Sequence, residues 1–275
     1  MTVNMAVNKI NAMESSAGAG STWLVLPTYN EAENVAAIVE AAQRHLPEDA
    51  RVLIVDDNSP DGTGRIADRL AAADKRVEVL HRAGKEGLGP AYIAGFRRAL
   101  AGGADFVLQM DADFSHDPAD LPRLLSAAKE GADLAIGSRY VPGGGVTDWG
   151  LLRRVVSRGG SLYARLVLGV ATRDLTGGYK CHRRRVLETI DLGAVASKGY
   201  VFQVEMTYRT LRAGCTVREV PIRFRDRRAG ESKMSAAIAA EAVWQVPLLR
   251  RRVGGAGAPR SARKSRSDAG VPSSR

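Results

Sequence analysis

Cysteine is scarce in this sequence, whose 275 residues contain only Cys181 and Cys215. Their spacing is not that of a metal site, and two cysteines are too few for a disulfide framework. We therefore expect partly buried thiols in a reducing compartment. The apolar fraction of 45% is sufficient for one folded domain with a sizeable core.

Long apolar runs and a secretion signal are also missing. Nowhere do 18 or more apolar residues follow one another, so no membrane-spanning helix is predicted. The first 20 residues lack the basic start and the continuous apolar stretch of a signal peptide. The two absences predict a protein that lies on the cytoplasmic side of the membrane without spanning it.

Aromatic residues, which nucleic-acid-binding proteins use to stack on bases, make up only 5% of the chain. The net charge of +10, in contrast, is typical of nucleic-acid-binding proteins. Residues 250–275 carry eight Lys or Arg and one acid, so most of the excess positive charge lies in this tail. The remainder is weakly basic and does not interleave aromatic with basic residues. We predict no nucleic-acid partner; the alternative, binding through the tail, predicts steeply salt-dependent affinity.

Apolar strands alternate with helical patterns from Thr22 to Arg139, which is typical of βαβ units in a mostly parallel sheet. Asn30 and Glu33 have the spacing of a capping box and predict the start of the first helix. The fold class is therefore α/β and Rossmann-like, a single domain with helices flanking the sheet. The predicted boundaries are a disordered 1–21, a folded domain 22–235, an amphipathic segment 236–252 and a disordered basic tail 253–275.

Three polar clusters each follow a predicted strand: "PTYNE" after the first, "DDNSPDG" after the second and "DADFSH" after the fourth. Any one of them is typical of an ordinary turn. In an open parallel sheet, however, ligands bind beyond the carboxyl ends of the strands. Three clusters at that edge predict a binding site. The first strand is not followed by G-x-G-x-x-G, which argues against a dinucleotide-dependent dehydrogenase.

Asp111 and Asp113 lie two residues apart where the fourth strand bends into its loop, so both carboxylates can project to a common side. Their charges repel unless a cation lies between them, and carboxylate oxygens suit Mg²⁺ or Mn²⁺. Protein-bound Mg²⁺ is usually shared with substrate phosphates. The pair therefore predicts a phosphorylated ligand, and a diphosphate leaving group fits this chemistry.

Eight motifs follow one another in unbroken order over about residues 22–235. They are "PTYNEAENV", "VLIVDDNSPDGT", "GLGPAYIAGF", "MDADFSHDP", "IGSRYVPGG", "WGLLRRVVSRG", "DLTGGYK" and "RDRRAGESK". This series closely resembles the polyprenyl-phosphate (dolichol-phosphate) mannose synthases of glycosyltransferase family 2. The resemblance implies a GT-A nucleotide-sugar-binding fold, GDP-mannose as the donor, Mg²⁺ or Mn²⁺ as the cofactor and a polyprenyl phosphate as the acceptor.

The resemblance also implies roles for individual positions of this sequence. The residues that it implies for nucleotide-sugar binding are Pro27, Tyr29, Glu31, Val55, Asp57, Asp111, Ala112, Asp113, Arg139, Arg227 and Lys233. Metal binding falls to Asp111, Asp113 and Ser115, and acceptor-phosphate binding to Arg153 and Ser157. The catalytic set is Asp113, Arg139 and Arg153.

Ser115 marks a small departure from this pattern, because some members of the family carry Gln there and others Ser. A hydroxyl is a shorter and weaker ligand than an amide oxygen, which leaves contact through water open as an alternative. His116 follows the aspartate pair and is interpreted as a turn residue, not a general base. A phosphate acceptor is substantially dianionic at neutral pH and hardly needs one, so we expect a single displacement with inversion.

Two further questions stay open at the level of the sequence. Residues alone do not distinguish mannose from glucose, so a polyprenyl-phosphate glucosyltransferase using UDP-glucose remains the alternative. Residues 236–249 are mostly apolar and precede Arg250, Arg251 and Arg252. This pattern fits a peripheral contact with an anionic membrane surface, directly or beside a membrane-protein partner, and equally a C-terminal core helix.

Overall fold

The computed structural model describes residues 20–147, 149–197, 199–225 and 236–254. A seven-stranded sheet with the order β3-β2-β1-β4-β7-β5-β8 forms its centre, and β6 and β9 form a separate parallel pair. The strands are β1 (Thr22–Thr28), β2 (Arg51–Asp56), β3 (Val77–His81), β4 (Phe106–Gln109), β5 (Leu134–Ser138), β6 (Gly145–Val146), β7 (Lys180–Arg183), β8 (Val217–Pro221) and β9 (Arg223–Phe224).

Eight α-helices connect or flank these strands in the described part of the chain. They are α1 (Val35–Gln43), α2 (Thr63–Ala73), α3 (Leu88–Ala101), α4 (Leu121–Lys129), α5 (Leu151–Leu168), α6 (Arg184–Thr189), α7 (Gly199–Arg212) and α8 (Ala236–Gly254). None of the described helices is both long enough and apolar enough to span a bilayer.

Strand β1 occupies the middle of the parallel half of the sheet. It pairs in parallel with β2 on one side and β4 on the other, whereas β7 runs antiparallel between β4 and β5. The carboxyl ends of β1, β2 and β4 therefore lie side by side. The prediction that the three polar clusters share one edge of the sheet is confirmed.

Both faces of the sheet are covered, which explains why the interior of β1, from Trp23 to Pro27, is continuously apolar and not alternating. Successive side chains point to opposite faces, so Leu24 and Leu26 join one core cluster while Trp23 and Val25 join the other. Helix α3 approaches the sheet closely: a Cβ at Gly95 would lie 2.4 Å from Cγ1 of Val25. Glycine at this position allows the helix to pack there.

A third core cluster joins α5, α7 and α8 beside the sheet. Val246, Leu249 and Val253 of α8 pack with Leu168 of α5 and Tyr208 of α7. In residues 243–254 of α8, whose side chains the structure describes, the predicted alternative of a core helix is therefore correct for the face that carries Val246, Leu249 and Val253.

The sequence predicts five strands in the first half of the chain, "TWLVLP", "RVLIVDD", "VEVLH", "DFVLQMD" and "DLAIGSR", and they are confirmed as β1 to β5 within two residues at each end. Other local expectations were wrong or incomplete. Helix α1 begins at Val35 with Asn34 as its N-cap, and the Asn30 N–H donates to Ser59 and not to the Glu33 side chain, so the predicted capping box is not formed. Strand β7 and helix α6 were not predicted. The predicted tails lie almost entirely outside the described residues, apart from short ends such as Val253–Gly254 of α8.

Candidate active site

The loops after β1 and β2 are joined by hydrogen bonds into one surface. The Asn30 N–H donates to Oγ of Ser59 at 3.1 Å, and the Glu31 N–H donates to Oγ1 of Thr63 at 2.9 Å. The Asp57 N–H donates to the Thr28 carbonyl. The predicted nucleoside-binding residues of the two clusters are thus held next to each other.

Left-handed backbone conformations mark the same three loops. Asn30, Asn58 and Phe114 have φ angles of 58°, 59° and 61°, and no other non-glycine residue of the described chain has a positive φ. Such conformations cost free energy for side-chain-bearing residues, and they concentrate at functional sites. One such residue follows each of β1, β2 and β4, which supports a binding role for this edge.

Asp57 organises the loop between β3 and α3. Its carboxylate accepts hydrogen bonds from the N–H groups of Glu86 and Gly87 at 3.1 and 2.9 Å, and it forms a salt bridge with Arg82. The Lys85 Nζ lies 3.9 Å above the Tyr29 ring. Asp57 therefore positions residues 82–87 over the predicted nucleoside site.

Asp111 and Asp113 lie in the loop that follows strand β4. Oδ1 of Asp111 accepts a hydrogen bond from the Tyr92 hydroxyl at 3.1 Å, and Oδ1 of Asp113 accepts one from the Ser115 N–H at 3.0 Å. Oγ of Ser115 is buried without a hydrogen-bond partner among the described residues. Two carboxylates and an unsatisfied hydroxyl oxygen fit a hard divalent cation. Within the described residues, no group of three or more His, Cys, Asp and Glu forms a metal site.

His116 lies under this loop and is almost fully buried. Its ring stacks on Tyr179 with the centroids 4.8 Å apart, and its Nδ1 faces the Asp111 N–H at 3.4 Å. Burial lowers the pKa of His116, against the opposing effect of the nearby carboxylates. A neutral ring that packs in this way supports the loop, in keeping with its interpretation as a turn residue.

Arg139, at the end of β5, lies in a different environment from the one the sequence suggested. Its Nε and Nη2 donate to the two carboxylate oxygens of Asp174, both at 2.7 Å, and Nη2 also donates to Oγ1 of Thr176. Arg139 is only 6% exposed and Asp174 is fully buried. Much of the guanidinium charge is thus neutralised within the protein. Direct contact of Arg139 with a phosphate stays a prediction.

Arg153 and Ser157 lie on α5 beside the end of β5. The Arg153 guanidinium carbon lies 4.2 Å from the centroid of the Trp149 ring, within the range of a cation–π contact. Oγ of Ser157 lies 2.6 Å from the Tyr140 hydroxyl, and Tyr140 directly follows Arg139. The two residues predicted to bind the acceptor phosphate are therefore near each other and near the β5 end of the site.

The remaining predicted residues differ in how they are exposed. The Val55 and Ala112 side chains are buried in the core, so any contact they make with a nucleotide comes from the backbone. Pro27 is half-buried at the end of β1. Arg227 and Lys233 lie outside the described residues. Shortly before them, the Arg225 N–H donates to the Ser115 carbonyl.

Sequence reasoning missed several buried polar residues that shape this site. Asp174 lies inside the quoted motif "DLTGGYK", yet only the fold shows that it pairs with Arg139. Tyr92 likewise lies inside the motif "GLGPAYIAGF", and only the fold shows that its hydroxyl donates to Asp111. The others belong to a buried network on β4, β7 and α7, which comprises Gln109, Lys180, His182 and Gln203.

The family model described as "Glycosyl transferase family 2" matches residues 23–191, more than half of the chain. The chain belongs to glycosyl transferase family 2. It is a glycosyltransferase, and the resemblance inferred from the motifs is confirmed at this level.

Two curated relatives of this glycosyltransferase are similar along most of their length. A polyprenol monophosphomannose synthase of Mycolicibacterium smegmatis is 52% identical over 226 residues, 82% of this chain and 85% of the relative. An undecaprenyl-phosphate mannosyltransferase of Micrococcus luteus is 53% identical over 222 residues, 81% of this chain and 90% of the relative.

Solved structures support the fold of this glycosyltransferase. Glucosyl-3-phosphoglycerate synthase of Mycobacterium tuberculosis is 19% identical, with a TM-score of 0.62 over 89% of this chain and 84% of that one. That enzyme was crystallised with Mn²⁺ and UDP, and in another structure with Mg²⁺ and UDP. At this identity the likeness shows the fold alone, and the predicted GT-A fold is confirmed.

Proposed function

We propose that this glycosyltransferase transfers mannose from GDP-mannose to a polyprenyl phosphate, with inversion at the sugar carbon. The observation that carries the proposal is the position of helix α5. It holds Arg153 and Ser157 beside the site while it exposes Leu151, Val155 and Leu166 elsewhere on its surface. A phosphate attached to a lipid chain is the acceptor that such a helix suits. The names of the two curated relatives support the same acceptor class and mannose as the sugar.

The metal proposal assigns Asp111, Asp113 and Ser115 as the residues that would hold Mg²⁺ or Mn²⁺. A bound divalent cation supplies neutralisation of the negative charge that develops on a departing diphosphate. The buried, unsatisfied Oγ of Ser115 supports its inclusion in the set. The metal complexes of the structural neighbour support the same chemistry.

In the proposed reaction, the acceptor phosphate needs positioning more than activation. A phosphate monoester with a second pKa of about 6 is largely dianionic at neutral pH and is itself a nucleophile. Arg153 would bind it through the guanidinium, and Ser157 would donate a hydrogen bond from its hydroxyl. Holding the two reactants in line removes much of the entropic cost of their meeting. His116 is buried and stacked, which fits a reaction without a histidine base.

We further propose that α5 and α8 form a membrane-contact surface. The alternative is that this surface contacts a membrane-protein partner and not the lipids themselves. All eight large apolar side chains found exposed in the described chain lie on these two helices. They are Leu151, Val155, Val156, Leu162, Leu166, Val243, Trp244 and Leu248. Exposed arginines, among them Arg154, Arg158 and Arg251, accompany them. Apolar residues with interspersed cations favour the anionic surface of a cytoplasmic leaflet.

Arg252 does not belong to this surface. Its guanidinium donates to a carboxylate oxygen of the fully buried Glu205 on α7, at 3.1 Å. Arg250 donates to the Val167 carbonyl of α5 at 2.9 Å. Arg250 and Arg252 therefore bind α8 to its neighbouring helices. Of the three consecutive arginines, Arg251 is the one whose charge is best placed for contact with lipids.

The double variant Leu166→Gln/Trp244→Gln should bind membranes at least about tenfold more weakly than the wild type. Both side chains are more than 70% exposed, so their loss removes apolar contact area from the surface without affecting the core. Flotation with phosphatidylglycerol vesicles measures the effect, with phosphatidylcholine vesicles for comparison. Arg44→Gln, which removes an exposed cation after α1, is the control. Equal flotation of the double variant and the wild type would contradict the proposed surface.

The donor and the acceptor are tested by one reconstituted reaction. The purified chain is incubated with labelled GDP-mannose or labelled UDP-glucose, a polyprenyl phosphate, and Mg²⁺, Mn²⁺ or EDTA. We expect a labelled lipid only from GDP-mannose and only with a divalent cation. Product from UDP-glucose alone would favour the glucosyltransferase alternative, and labelled lipid in EDTA would refute the metal proposal.

A further inference from the structure

A network of buried polar side chains lies beneath the predicted metal loop. Nζ of Lys180 on β7 donates to both the carbonyl and Oε1 of Gln203 on α7, each at 2.9 Å. Nε2 of Gln109 on β4 also donates to Oε1 of Gln203, at 2.9 Å, and Oε1 of Gln109 faces Nε2 of His182 at 3.1 Å. These residues are essentially inaccessible to solvent. Two neighbouring strands thus hold one side chain of α7 in place.

The orientation of the Gln203 amide follows from these contacts. Lysine nitrogen acts only as a donor when protonated, so Oε1 of Gln203 must face Lys180 and Nε2 must point away from it. Burial lowers the pKa of Lys180 to about 7, against the opposing effect of Asp174. The orientation does not depend on the charge of Lys180, because Nε2 of Gln109 also donates to the Gly178 carbonyl at 2.8 Å. A carbonyl oxygen only accepts, so the Gln109 atom that meets Gln203 is a donor and faces Oε1 in both protonation states of the lysine.

Nε2 of Gln203 is a buried donor without a hydrogen-bond partner among the described residues. Gln203 is only 2% exposed. Leaving such a donor unsatisfied is costly, and most buried polar groups are paired. We therefore expect a bound molecule to supply the missing acceptor for Nε2 of Gln203.

Gly178 separates this donor from the predicted metal ligand Asp111. A Cβ at Gly178 would lie 3.5 Å from Nε2 of Gln203 and 3.5 Å from Oδ2 of Asp111. The two atoms are therefore separated by at most twice that distance. Gly178 is itself partly exposed, so this space is open to solvent at the site. An oxygen atom near this point is within reach of both groups after small side-chain shifts.

A hydroxyl group fits this gap because it accepts and donates at once. It would accept from Nε2 of Gln203 and donate to the Asp111 carboxylate. The proposed donor carries hydroxyls on two sugars attached to its diphosphate, the ribose of the nucleoside and the hexose. The nucleoside is proposed to lie at the loops after β1 and β2, which leaves the hexose for the gap. The gap lies beside the carboxylate proposed to hold that diphosphate through the metal.

We propose that Gln203 is a sugar-recognition residue, which donates a hydrogen bond to one ring hydroxyl of the donor hexose in the gap left by Gly178. This inference rests on the proposed function for the identity of the donor. Lys180 and Gln109 are positioning residues that fix the amide. The residue was not among those that the family resemblance implied.

Binding of GDP-mannose compared with GDP isolates the sugar contact. The probes are titrated into the full-length protein with Mg²⁺ and without acceptor, by calorimetry. Gln203→Met should weaken GDP-mannose binding about five- to tenfold and leave GDP binding within twofold of the wild type. Thr207→Val is the matched control: the Thr207 hydroxyl donates to the Gln203 carbonyl one turn further along α7, and it is equally buried.

Gly178→Ala is a second variant that leaves the network intact. The added methyl meets its neighbours at ordinary contact distance, and Gly178 does not have a positive φ, so the fold should accept alanine. The methyl would occupy the gap and should weaken GDP-mannose binding about tenfold or more, with GDP binding retained. This variant keeps the test decisive even if Gln203→Met does not fold.

Analogues of GDP-mannose that each lack one ring hydroxyl identify the contact. For the wild type, the analogue that lacks the contacted hydroxyl should bind about five- to tenfold more weakly than GDP-mannose. For Gln203→Met, this analogue and GDP-mannose should bind with equal affinity. Equal loss of GDP and GDP-mannose binding would indicate a structural role, and an unchanged ratio in both variants would indicate that water satisfies Gln203. Either result overturns the inference. Failure of the wild type to make mannolipid would instead refute the proposed function.

Discussion

Asp113→Ala is expected to lower mannosyl transfer about a hundred- to a thousandfold while the protein stays folded. The carboxylate is one of the two proposed to hold the metal that neutralises the leaving diphosphate, and losses of this size follow removal of one preorganised electrostatic group. Asp113 is a loop residue with 4% exposure, and the apolar core beneath it is not altered by the change. Initial rates with GDP-mannose and polyprenyl phosphate in saturating Mg²⁺ measure the effect.

The control for Asp113→Ala is Asp117→Asn, which removes one negative charge from the same loop. Asp117 accepts a hydrogen bond from the Ala119 N–H, and asparagine keeps an acceptor there. This control should retain most of the activity. Near-normal transfer by Asp113→Ala would contradict the metal-site assignment.

Arg153→Ala provides a second comparison at the opposite end of the proposed site. It should lower transfer by a similar factor, but through the acceptor, with GDP-mannose binding unchanged. The two variants thus distinguish the donor side from the acceptor side. If Arg153→Ala weakens GDP-mannose binding and leaves the KM for polyprenyl phosphate unchanged, the acceptor assignment is wrong.

The parallel half of the fold could be predicted because local and global signals agree there. Strands such as β1 and β2 are continuous apolar runs, since helices cover both faces of the sheet. The polar clusters "PTYNE" and "DDNSPDG" follow these strands directly, and the sheet order then brings them together. A short-range pattern was sufficient to locate the edge that carries Asp111 and Asp113.

Strand β7 could not be predicted, because "KCHR" has little in common with a typical apolar strand. Lys180 and His182 are polar residues that are fully buried, and they are accommodated only because Gln109 of β4 and Gln203 of α7 pair with them. Those partners lie far away in the sequence. The antiparallel insertion of β7 between β4 and β5 depends on contacts of the same kind.

The role of Arg139 was also beyond reach of the sequence for a physical reason. The motif "IGSR" marks a cation at the end of a strand, which suggests a phosphate contact. Asp174 lies 35 residues further on, and only the fold shows that its carboxylate is fully buried against the guanidinium. A charge pattern read along one dimension does not reveal which charges are already paired.

The largest effect on stability is expected from Asp174→Ala, which should lower the free energy of unfolding by about 3 to 5 kcal/mol. The change leaves the nearly buried Arg139 guanidinium without its carboxylate partner. It also removes the acceptor for the N–H groups of Arg139 and Gly177. Urea denaturation followed by fluorescence measures the difference.

Glu40→Ala is the matched control for the loss of an ion pair. The Glu40–Arg44 pair is 2.9 Å long, and both of its side chains are largely exposed, so its loss should cost no more than about 1 kcal/mol. The double variant Arg139→Leu/Asp174→Leu should be more stable than Asp174→Ala, because no buried charge is left unpaired. A cost below about 1 kcal/mol for Asp174→Ala would mean that the guanidinium finds water or another partner.

Acid should reduce the stability difference between the wild type and Asp174→Ala. Burial is the largest single effect and raises the pKa of Asp174. The charge and the hydrogen bonds of Arg139, together with the charge of Lys180, outweigh it, so the folded-state pKa lies below its ordinary value of 3.8. The carboxylate therefore contributes stability that is fully present above the ordinary value and is lost as the pH falls through the lowered one. Denaturation series from neutral pH to pH values below 3.8 should show the two free energies converging. A difference that persists unchanged in acid would show that packing, not the ion pair, accounts for the loss.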